Sequence, residues 1–249
     1  MFGIGKNRGW ESPLERFLRR LRLALQMALL LLLADLCYVA GMWPDWNLYA
    51  EGPIFKSKFI KVYEHARLEG GGPPLRWRPI PLEKMSHHLI HSVIVAEDGR
   101  FYQHPGFDRV AFEEAMEENA ARRRLVYGAS TISQQTVKNL LLSPSRNPLR
   151  KWHELLLTLG MELFVEKDRI LELYLNLAEF GPGIYGVEAA SRAYWQKSAS
   201  RLSRRQAAEL AATLPAPKDH NPRTRTASFR ERTQKVLRGM ARTRNYASG

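Results

Sequence analysis

A long apolar segment near the N-terminus constrains the architecture most. Residues 23–42 read LALQMALLLLLADLCYVAGM, a run interrupted by Gln26 and Asp35. Its length matches one helical crossing of a bilayer. A cleaved signal peptide is the alternative, but its apolar core is usually shorter and small residues precede its cleavage site, whereas Trp43-Pro44-Asp45-Trp46 follows here. We therefore predict an uncleaved transmembrane helix over 23–42.

The residues on either side of this segment predict its orientation. Four arginines crowd its N-terminal side, namely Arg16, Arg19, Arg20 and Arg22. Three aromatic residues follow it, namely Trp43, Trp46 and Tyr49. Because basic residues stay on the cytoplasmic side and aromatic residues favour the membrane interface, we expect a cytoplasmic N-terminus and an external C-terminal part.

The charge of the chain indicates an anionic partner. Lys and Arg number 38 against 25 Asp and Glu, which gives a formal net charge of +13. Such a charge attracts phosphate in nucleic acid, in lipid headgroups or in a diphosphate substrate, and charge alone leaves these three open. Cys37 is the only cysteine, so the chain has no disulfide framework.

Apolar spacing after residue 76 predicts a mainly α domain. Glu69-Gly70-Gly71-Gly72-Pro73-Pro74 reads as a linker or turn, and 76–82 as a short extended stretch. The predicted organisation is a basic tail at 1–22, the membrane helix at 23–42, a linker or membrane-proximal segment at 43–75, the main domain at 76–222 and a solvated basic helix and tail at 223–249. Helices are predicted at 86–97, 108–122, 131–142, 148–165, 167–178, 185–194, 203–213 and 226–242.

Two adjacent acids, Glu97 and Asp98, end an apolar helical segment, and Phe101 and His104 follow them. A carboxyl group held partly out of water at such a place has a raised pKa and can act as a general base near neutral pH. On these two acids alone, an ordinary solvated helix end explains the pattern better.

A second polar cluster opens with a glycine turn at Gly128 and continues into a helix. A helix N-terminus with hydroxyl groups and a lysine is suited to a phosphate or a sugar ring. A capped surface helix explains Ser130 and Lys138, but it does not explain the consecutive Gln134 and Gln135.

The third cluster joins two cations and a carboxylate, Arg150, Lys151 and Glu154. Nearby cations keep Glu154 ionised, so that it can orient a substrate or a metal ion. The zinc-protease motif HExxH is absent, because Leu157 stands where its second histidine is required. A metal site on His87, His88 and His91 is the less favoured alternative, since no cysteine or acidic residue that could complete it lies nearby in sequence.

Taken together, the segments resemble the five motifs of the family 51 peptidoglycan glycosyltransferases, in order along residues 76–222. The motifs are Glu97-Asp98-x-x-Phe101-x-x-His104-x-Gly106, Gly128-x-Ser130-Thr131-Ile132-Ser133-Gln134-Gln135-x-x-Lys138-Asn139, Arg150-Lys151-x-x-Glu154, Arg169-Ile170-Leu171-Glu172-x-Tyr174-Leu175-Asn176 and Ala189-Ala190-x-x-Tyr194-Trp195. The length resembles that of the monofunctional members. Trp195 departs from the family's usual Phe.

The resemblance implies a lysozyme-like, mostly helical glycosyltransferase domain with a smaller membrane-proximal subdomain around 108–127. It implies polymerisation of lipid II into β-1,4-linked glycan with inversion and release of undecaprenyl diphosphate, and sensitivity to moenomycin. Glu97 would be the general base and Glu154 the second essential carboxylate, acting near the diphosphate or on a divalent ion. The residues implied in substrate binding are Asp98, Arg100, Phe101, His104, Ser130, Thr131, Gln134, Gln135, Lys138, Asn139, Arg150 and Lys151.

Of these, Arg100, Lys138 and Arg150 would meet the charge of the leaving group, while Asp98, Phe101 and His104 would hold the loop that presents Glu97. The motif of Glu172, Tyr174 and Asn176 is interpreted as mainly structural. The resemblance implies no obligatory cofactor, with Mg²⁺ or another divalent cation left open. The expected location is the cell inner membrane with the catalytic domain in the periplasm.

The expected partners are lipid II, the growing glycan strand, membrane lipids and cell-division or elongation proteins, but not nucleic acid. Two alternatives stay open. A lysozyme-like muramidase also uses two carboxylates, although it needs neither a cationic diphosphate site nor an anchor. A membrane-tethered protein that binds an anionic polymer fits the charge, but such a nucleic-acid binder requires a cytoplasmic domain.

Overall fold

The computed structural model describes residues 12–122, 128, 130–144 and 147–243. The chain forms two compact units, one ending at Pro44 and a larger one beginning at Asp45. Residues 123–127 of the predicted membrane-proximal subdomain, and the ends of the predicted tails, lie outside the described residues.

The N-terminal unit is one helix, α1 at Pro13–Gly41. It is long and apolar enough to cross a membrane, with a mean hydropathy of 2.1 in its most apolar window. The helix starts ten residues before the predicted span, because Ser12 and Glu15 form a reciprocal capping box and Pro13 occupies the first turn. The arginines predicted to precede the membrane helix are therefore part of the same helix.

The larger unit is mainly helical. Its α-helices are α2 (Asn47–Ala50), α3 (Lys58–Leu68), α4 (His87–Glu97), α5 (Arg109–Ala121), α6 (Ile132–Leu141), α7 (Pro148–Phe164), α8 (Lys167–Leu177), α9 (Val187–Trp195), α10 (Arg204–Thr213) and α11 (Ala227–Arg242). Short 3₁₀ turns occur at Leu82–Lys84, Phe101–Gln103 and Ala199–Arg201. The predicted mainly α fold is confirmed, and all eight predicted helices of this unit are present with ends shifted by two residues or fewer.

Three short strands form a small sheet in the order β1-β3-β2. Strand β1 (Arg76–Trp77) is parallel to β3 (Ile184–Tyr185), and β2 (Glu179–Gly181) is antiparallel to β3. The sequence predicted the extended stretch at β1, but it predicted a plain helix stop where β2 and β3 form a hairpin. The helix predicted from residue 185 begins later for this reason.

Helix α8 lies at the centre of the core, with residues on nearly all of its sides buried. The motif was interpreted as mainly structural, and its polar residues hold the segments around the helix. Asn176 exchanges hydrogen bonds with the backbone of Ile80, and Glu172 accepts one from the Leu82 N–H. Arg169 donates to the carbonyl oxygens of Tyr49 and Gly52. These contacts attach the segment before the main domain to the core.

Helix α3 was not predicted, because the sequence around it was interpreted as a linker. It is capped by Ser57, and Ile60 is fully buried where α3 packs on α6.

Helix α11 is present and basic as predicted, but it packs on α4 and α10, so the prediction that it is solvated was wrong for one of its faces. The buried residues Phe229, Thr233, Val236 and Met240 form an apolar stripe, while most of the arginines stay exposed.

Candidate active site

Glu97 ends α4 and lines two cavities, of about 180 and 690 Å³. Gln135 Nε2 on α6 donates to Glu97 Oε2 over 2.8 Å, and the Tyr174 hydroxyl donates to Gln135 Oε1 over 3.2 Å, which fixes the orientation of the amide. Burial raises the pKa of Glu97, although the Gln135 hydrogen bond and the charges of Lys138 and Arg232 oppose the shift. Such a carboxyl group can take up a proton near neutral pH.

The loop after Glu97 is clamped to the start of α6 by Asp98. One oxygen of this buried carboxylate accepts from Ile132 N–H at 3.0 Å, and the other is 2.9 Å from His104 Nε2. His104 Nδ1 accepts from Gly106 N–H, so Nε2 carries the proton and donates it to Asp98. Thr131 Oγ1 donates to the Gly106 carbonyl oxygen over 2.6 Å. The clamp holds Glu97 and α6 in a fixed relation.

Gly106 is required by the same loop. Its φ of +88° is unfavourable for other residues, and a Cβ there would approach Thr158 Cγ2 and Glu162 Cγ to 2.8 Å.

Gln135, Lys138 and Asn139 on α6 line another cavity of about 200 Å³. Burial lowers the pKa of Lys138, while the negative charges of Glu154 and Glu97 act in the opposite direction. The pKa of Lys138 therefore depends on both carboxylates of the site, Glu97 and Glu154. A partly buried ammonium group of this kind is positioned to bind an anionic oxygen.

Glu154 is buried near the start of α7 and is held by two cations. Arg150 Nη1 donates to one oxygen over 2.8 Å and Lys151 Nζ to the other over 2.5 Å. Lys151 Nζ is also 3.0 Å from the hydroxyl oxygen of Ser130, which is exposed at the start of the α6 motif. These contacts bring the second and third predicted motifs together. Asn147 caps α7 by accepting a hydrogen bond from the Arg150 N–H.

Several predicted substrate-binding residues have partners within the protein. Phe101 is fully buried, and Lys167 Nζ lies 4.4 Å from its ring centroid, so it supports the loop from inside. Arg100 forms a two-pronged ion pair with Asp108, which caps α5. Thr131 and buried Gln134 form the capping box of α6. A role of these residues in substrate binding stays a prediction.

Two residues of the site were missed from the sequence. Glu179 follows α8 and lines the cavity of Lys138, and burial raises its pKa. Arg232 lies on α11 and lines the cavity of about 690 Å³ together with Glu97. Glu179 stands within the hairpin and Arg232 within the arginine-rich C-terminus, so neither belonged to a cluster that indicated chemistry.

The site does not fit a divalent cation on Glu154. Arg150 and Lys151 each donate a hydrogen bond to one of its oxygens. Among the described residues, Asp98, His104 and Asp108 form the one group whose ligand atoms lie close enough together to share a metal ion. In that group Asp98 already accepts from His104 and Asp108 from Arg100. A hard cation requires several free oxygen ligands, so no step of the reaction is assigned to a metal ion.

Comparison with known proteins gives one consistent answer. The family model described as Transglycosylase matches residues 71–241. Proteins named biosynthetic peptidoglycan transglycosylase are similar over most of their length. The protein from Nitrosospira multiformis is 46% identical over 79% of this chain and 84% of its own. The protein from Chromobacterium violaceum is 41% identical over 80% of this chain and 85% of its own. The protein from Rhodospirillum centenum is 47% identical over 70% of this chain and 75% of its own. The chain therefore belongs to the transglycosylase family.

Proposed function

We propose that this peptidoglycan glycosyltransferase polymerises lipid II into β-1,4-linked glycan and releases undecaprenyl diphosphate, with Glu97 as the general base. The observation that carries the proposal is the environment of Glu97, a partly buried carboxyl group with a raised pKa at the meeting point of two cavities. The names of the relatives, biosynthetic peptidoglycan transglycosylases, support the same substrate class.

In the proposed reaction, Glu97 removes the proton from the 4-hydroxyl of the acceptor's N-acetylglucosamine. The oxygen attacks C1 of the donor's N-acetylmuramic acid, the bond from C1 to the diphosphate oxygen breaks, and the configuration inverts. Glu97 keeps the proton, and the diphosphate leaves with the bonding electrons. The rigid clamp of Asp98 and His104 favours this step, because a general base must be held within hydrogen-bond reach of its proton.

The departing diphosphate gains negative charge that must be stabilised in the transition state. Lys138 and Arg150 are the proposed partners of that charge. Glu154 holds Arg150 and Lys151 beside Lys138 and offsets the repulsion among the three cations. Arg100 is less suited to this role than the sequence predicted, because Asp108 binds two nitrogens of its guanidinium group, whereas Glu154 binds one nitrogen of Arg150.

We further infer that α1 is a single-pass anchor in the cell inner membrane, with the N-terminus in the cytoplasm and the catalytic domain in the periplasm. The length and hydropathy of α1 support an anchor. The arginines of its first turns and the aromatic residues after it support the orientation. Contacts with membrane lipids and with cell-division or elongation proteins stay predictions.

The product formed from lipid II tests this function directly. Detergent-solubilised full chain is incubated with fluorescent lipid II and, separately, with finished glycan strands. The proposal predicts long strands from lipid II, sensitivity to moenomycin and intact finished glycan. If lipid II stays unchanged while finished glycan is cleaved, the chain is a hydrolase and the proposal is wrong.

A further inference from the structure

Glu162 is an enclosed carboxylate near the end of α7 that the reaction as described so far does not use. Its side chain is only 7% exposed. It does not line the cavities of Glu97 or the cavity of Lys138. A ligand in these cavities therefore does not touch Glu162, and its role has to be sought in its contacts within the protein.

One carboxylate oxygen of Glu162 joins three helices. Glu162 Oε1 accepts a hydrogen bond from the Ser133 hydroxyl in the first turn of α6, and Lys167 Nζ in the first turn of α8 donates to the same oxygen over 2.8 Å. Ser133 is fully buried. Hydrogen bonds that involve a charged group are stronger than those between neutral groups. The carboxylate thus connects α7, which carries it, with the starts of α6 and α8.

Glu162 also supports the loop that follows Glu97. Gly106 in this loop lies so close that a Cβ there would approach Glu162 Cγ to 2.8 Å. Lys167 Nζ, which binds Glu162, lies 4.4 Å from the centre of the Phe101 ring, and an ammonium group at that distance is attracted to the ring. The loop is therefore supported at two points, Gly106 and Phe101.

Glu162 and the Asp98 clamp act on consecutive residues of α6. Asp98 accepts a hydrogen bond from the Ile132 N–H, and Glu162 accepts one from the hydroxyl of the next residue, Ser133. Gln135, which donates to Glu97 over 2.8 Å, follows in the same turn of the helix. The turn that presents Gln135 to the proposed base is therefore held by two other carboxylates.

The charge of Glu162 suits this position. The starts of α6 and α8 carry the partial positive charge of helix N-termini, and Lys167 adds a full positive charge. A neutral amide of the same size could still accept the hydrogen bond from Ser133, but it would lose the attraction to Lys167 and to both helix ends. Glu162→Gln therefore weakens the contacts without a change of shape.

We propose that Glu162 is a positioning residue for the general base, because its carboxylate, through Ser133 and Lys167, aligns the first turn of α6 with the loop after Glu97. The inference rests on the proposed function, in which Glu97 is the base. Glu162 lies between the third and fourth sequence motifs, so no cluster in the sequence indicated it.

Glu162→Gln in the full chain tests the proposal. We expect kcat for glycan formation from lipid II to fall about fivefold, while the KM for lipid II stays within about twofold, because Glu162 lines none of the three cavities. Glu166→Gln is the matched control, since Glu166 is an exposed carboxylate just before α8 whose side chain does not cap the helix. This control should leave both constants unchanged.

The pH profile distinguishes positioning from general stability. A looser first turn of α6 weakens the hydrogen bond from Gln135, so the Glu97 pKa should rise and the acidic limb of the kcat profile should move to higher pH. The other groups that act on the Glu97 pKa, namely Lys138, Arg232 and Asp98, stay in place. The shift should be smaller than that of Gln135→Leu, which removes the hydrogen bond altogether.

A double-mutant cycle identifies the route. In the Gln135→Leu background, Glu162→Gln should not move the acidic limb further, because the hydrogen bond that it supports is already absent. Ser133→Ala should give the same shift as Glu162→Gln, and both changes together should give no more than either. Ser133→Ala carries the same prediction if Glu162→Gln does not fold. NMR titration of the ¹³C-labelled Glu97 carboxyl group measures the same pKa without substrate.

Three results would overturn the proposal. An unchanged Glu97 titration together with a lowered Tm would show that Glu162 only stabilises the fold. A shift to lower pH would show that the change admits water to Glu97, and a shift that persists in the Gln135→Leu background would show that Glu162 acts by another route. If the unmodified chain forms no glycan while Glu162→Gln still shifts the NMR titration, the proposed function fails and the positioning contact stands.

Discussion

At the scale of single residues, the site depends on how Glu97 is solvated. Burial favours its neutral form, whereas the Gln135 amide and the nearby cations favour its charged form. The Gln135 amide and the cations therefore partly offset the rise in the Glu97 pKa that burial causes. The sequence indicated Glu97 as a candidate base, but the hydrogen bond from Gln135 and the influence of Arg232 required the fold, because these residues are far apart in the chain.

Gln135→Leu should shift the pH profile of polymerisation. The lost hydrogen bond stabilises the charged form of Glu97, so its removal raises the Glu97 pKa further, and the acidic limb of the kcat profile moves to higher pH. We expect about a tenfold loss of rate on the acidic limb and a plateau within about twofold of the unmodified chain. Tyr174→Phe, which removes the group that orients the amide, should show a smaller shift of the same sign. A uniform loss at every pH would contradict this account.

Glu97→Gln should not destabilise the protein at neutral pH. The raised pKa means that the folded chain holds the Glu97 proton more tightly than the unfolded chain, so ionisation of Glu97 lowers stability once the pH exceeds its unfolded pKa. Removal of the charge should therefore leave Tm at pH 7 equal to or above that of the unmodified chain. Calorimetry at pH 7 measures it. A clear decrease in Tm would show that the Glu97 carboxylate stabilises the fold.

At the scale of elements, α6 and α7 act as a pair. Helix α6 contributes Gln135 and Lys138, and α7 contributes Arg150 and Glu154. Both helices start at strong caps next to the site, so their N-terminal ends are fixed relative to each other. The sequence predicted these helices well, because caps and apolar spacing are local signals. It did not predict the β2–β3 hairpin, whose strand β3 also pairs with β1 from the start of the main domain.

Glu154→Gln tests this pair of helices. Loss of the carboxylate leaves Arg150 and Lys151 without their buried partner and removes an influence that raises the Lys138 pKa. The Lys138 pKa should fall, so the basic limb of the activity profile should move to lower pH. We also expect about 2 kcal/mol of lost stability, less than for a fully buried pair because Lys151 is exposed. Thermal unfolding measures the loss of stability, and polymerisation rates over a series of pH values measure the shift of the basic limb. An unchanged basic limb would show that the titration of Lys138 does not cause it.

At the scale of the whole molecule, the chain combines an apolar helix with a separate folded unit. The sequence predicted the mainly α class and an apolar helix near the N-terminus. The folded unit begins at Asp45, before the predicted linker ends. Helix α3 was not predicted because its segment is rich in charged residues. Helix α11 was interpreted as solvated because of its many arginines, although its buried residues recur every three or four positions. Both helices are held by long-range packing, which local patterns do not indicate.

A chain of residues 45–249 should fold without α1. Its core contacts lie within the larger unit, including the ties of Arg169 to the backbone near Tyr49. We expect helical circular dichroism, a cooperative melt within about 5 °C of the full chain, and loss of stable binding to phospholipid vesicles. A chain of residues 58–249, which lacks the segment bound by Arg169, should melt lower. Failure of the longer fragment to fold would contradict the division into two units.

The most direct test of the central claim is the rate of glycan formation from lipid II by Glu97→Gln. This substitution keeps the size of the side chain and removes the base. The control is Glu113→Gln, which removes an exposed carboxylate that pairs with Arg109 on the surface of α5. Tm is verified for both variants. We expect the rate of glycan formation to fall at least about a hundredfold in Glu97→Gln and to stay within about twofold of the unmodified chain in Glu113→Gln. Polymerisation by a folded Glu97→Gln chain at an undiminished rate would contradict the role of Glu97 as the general base.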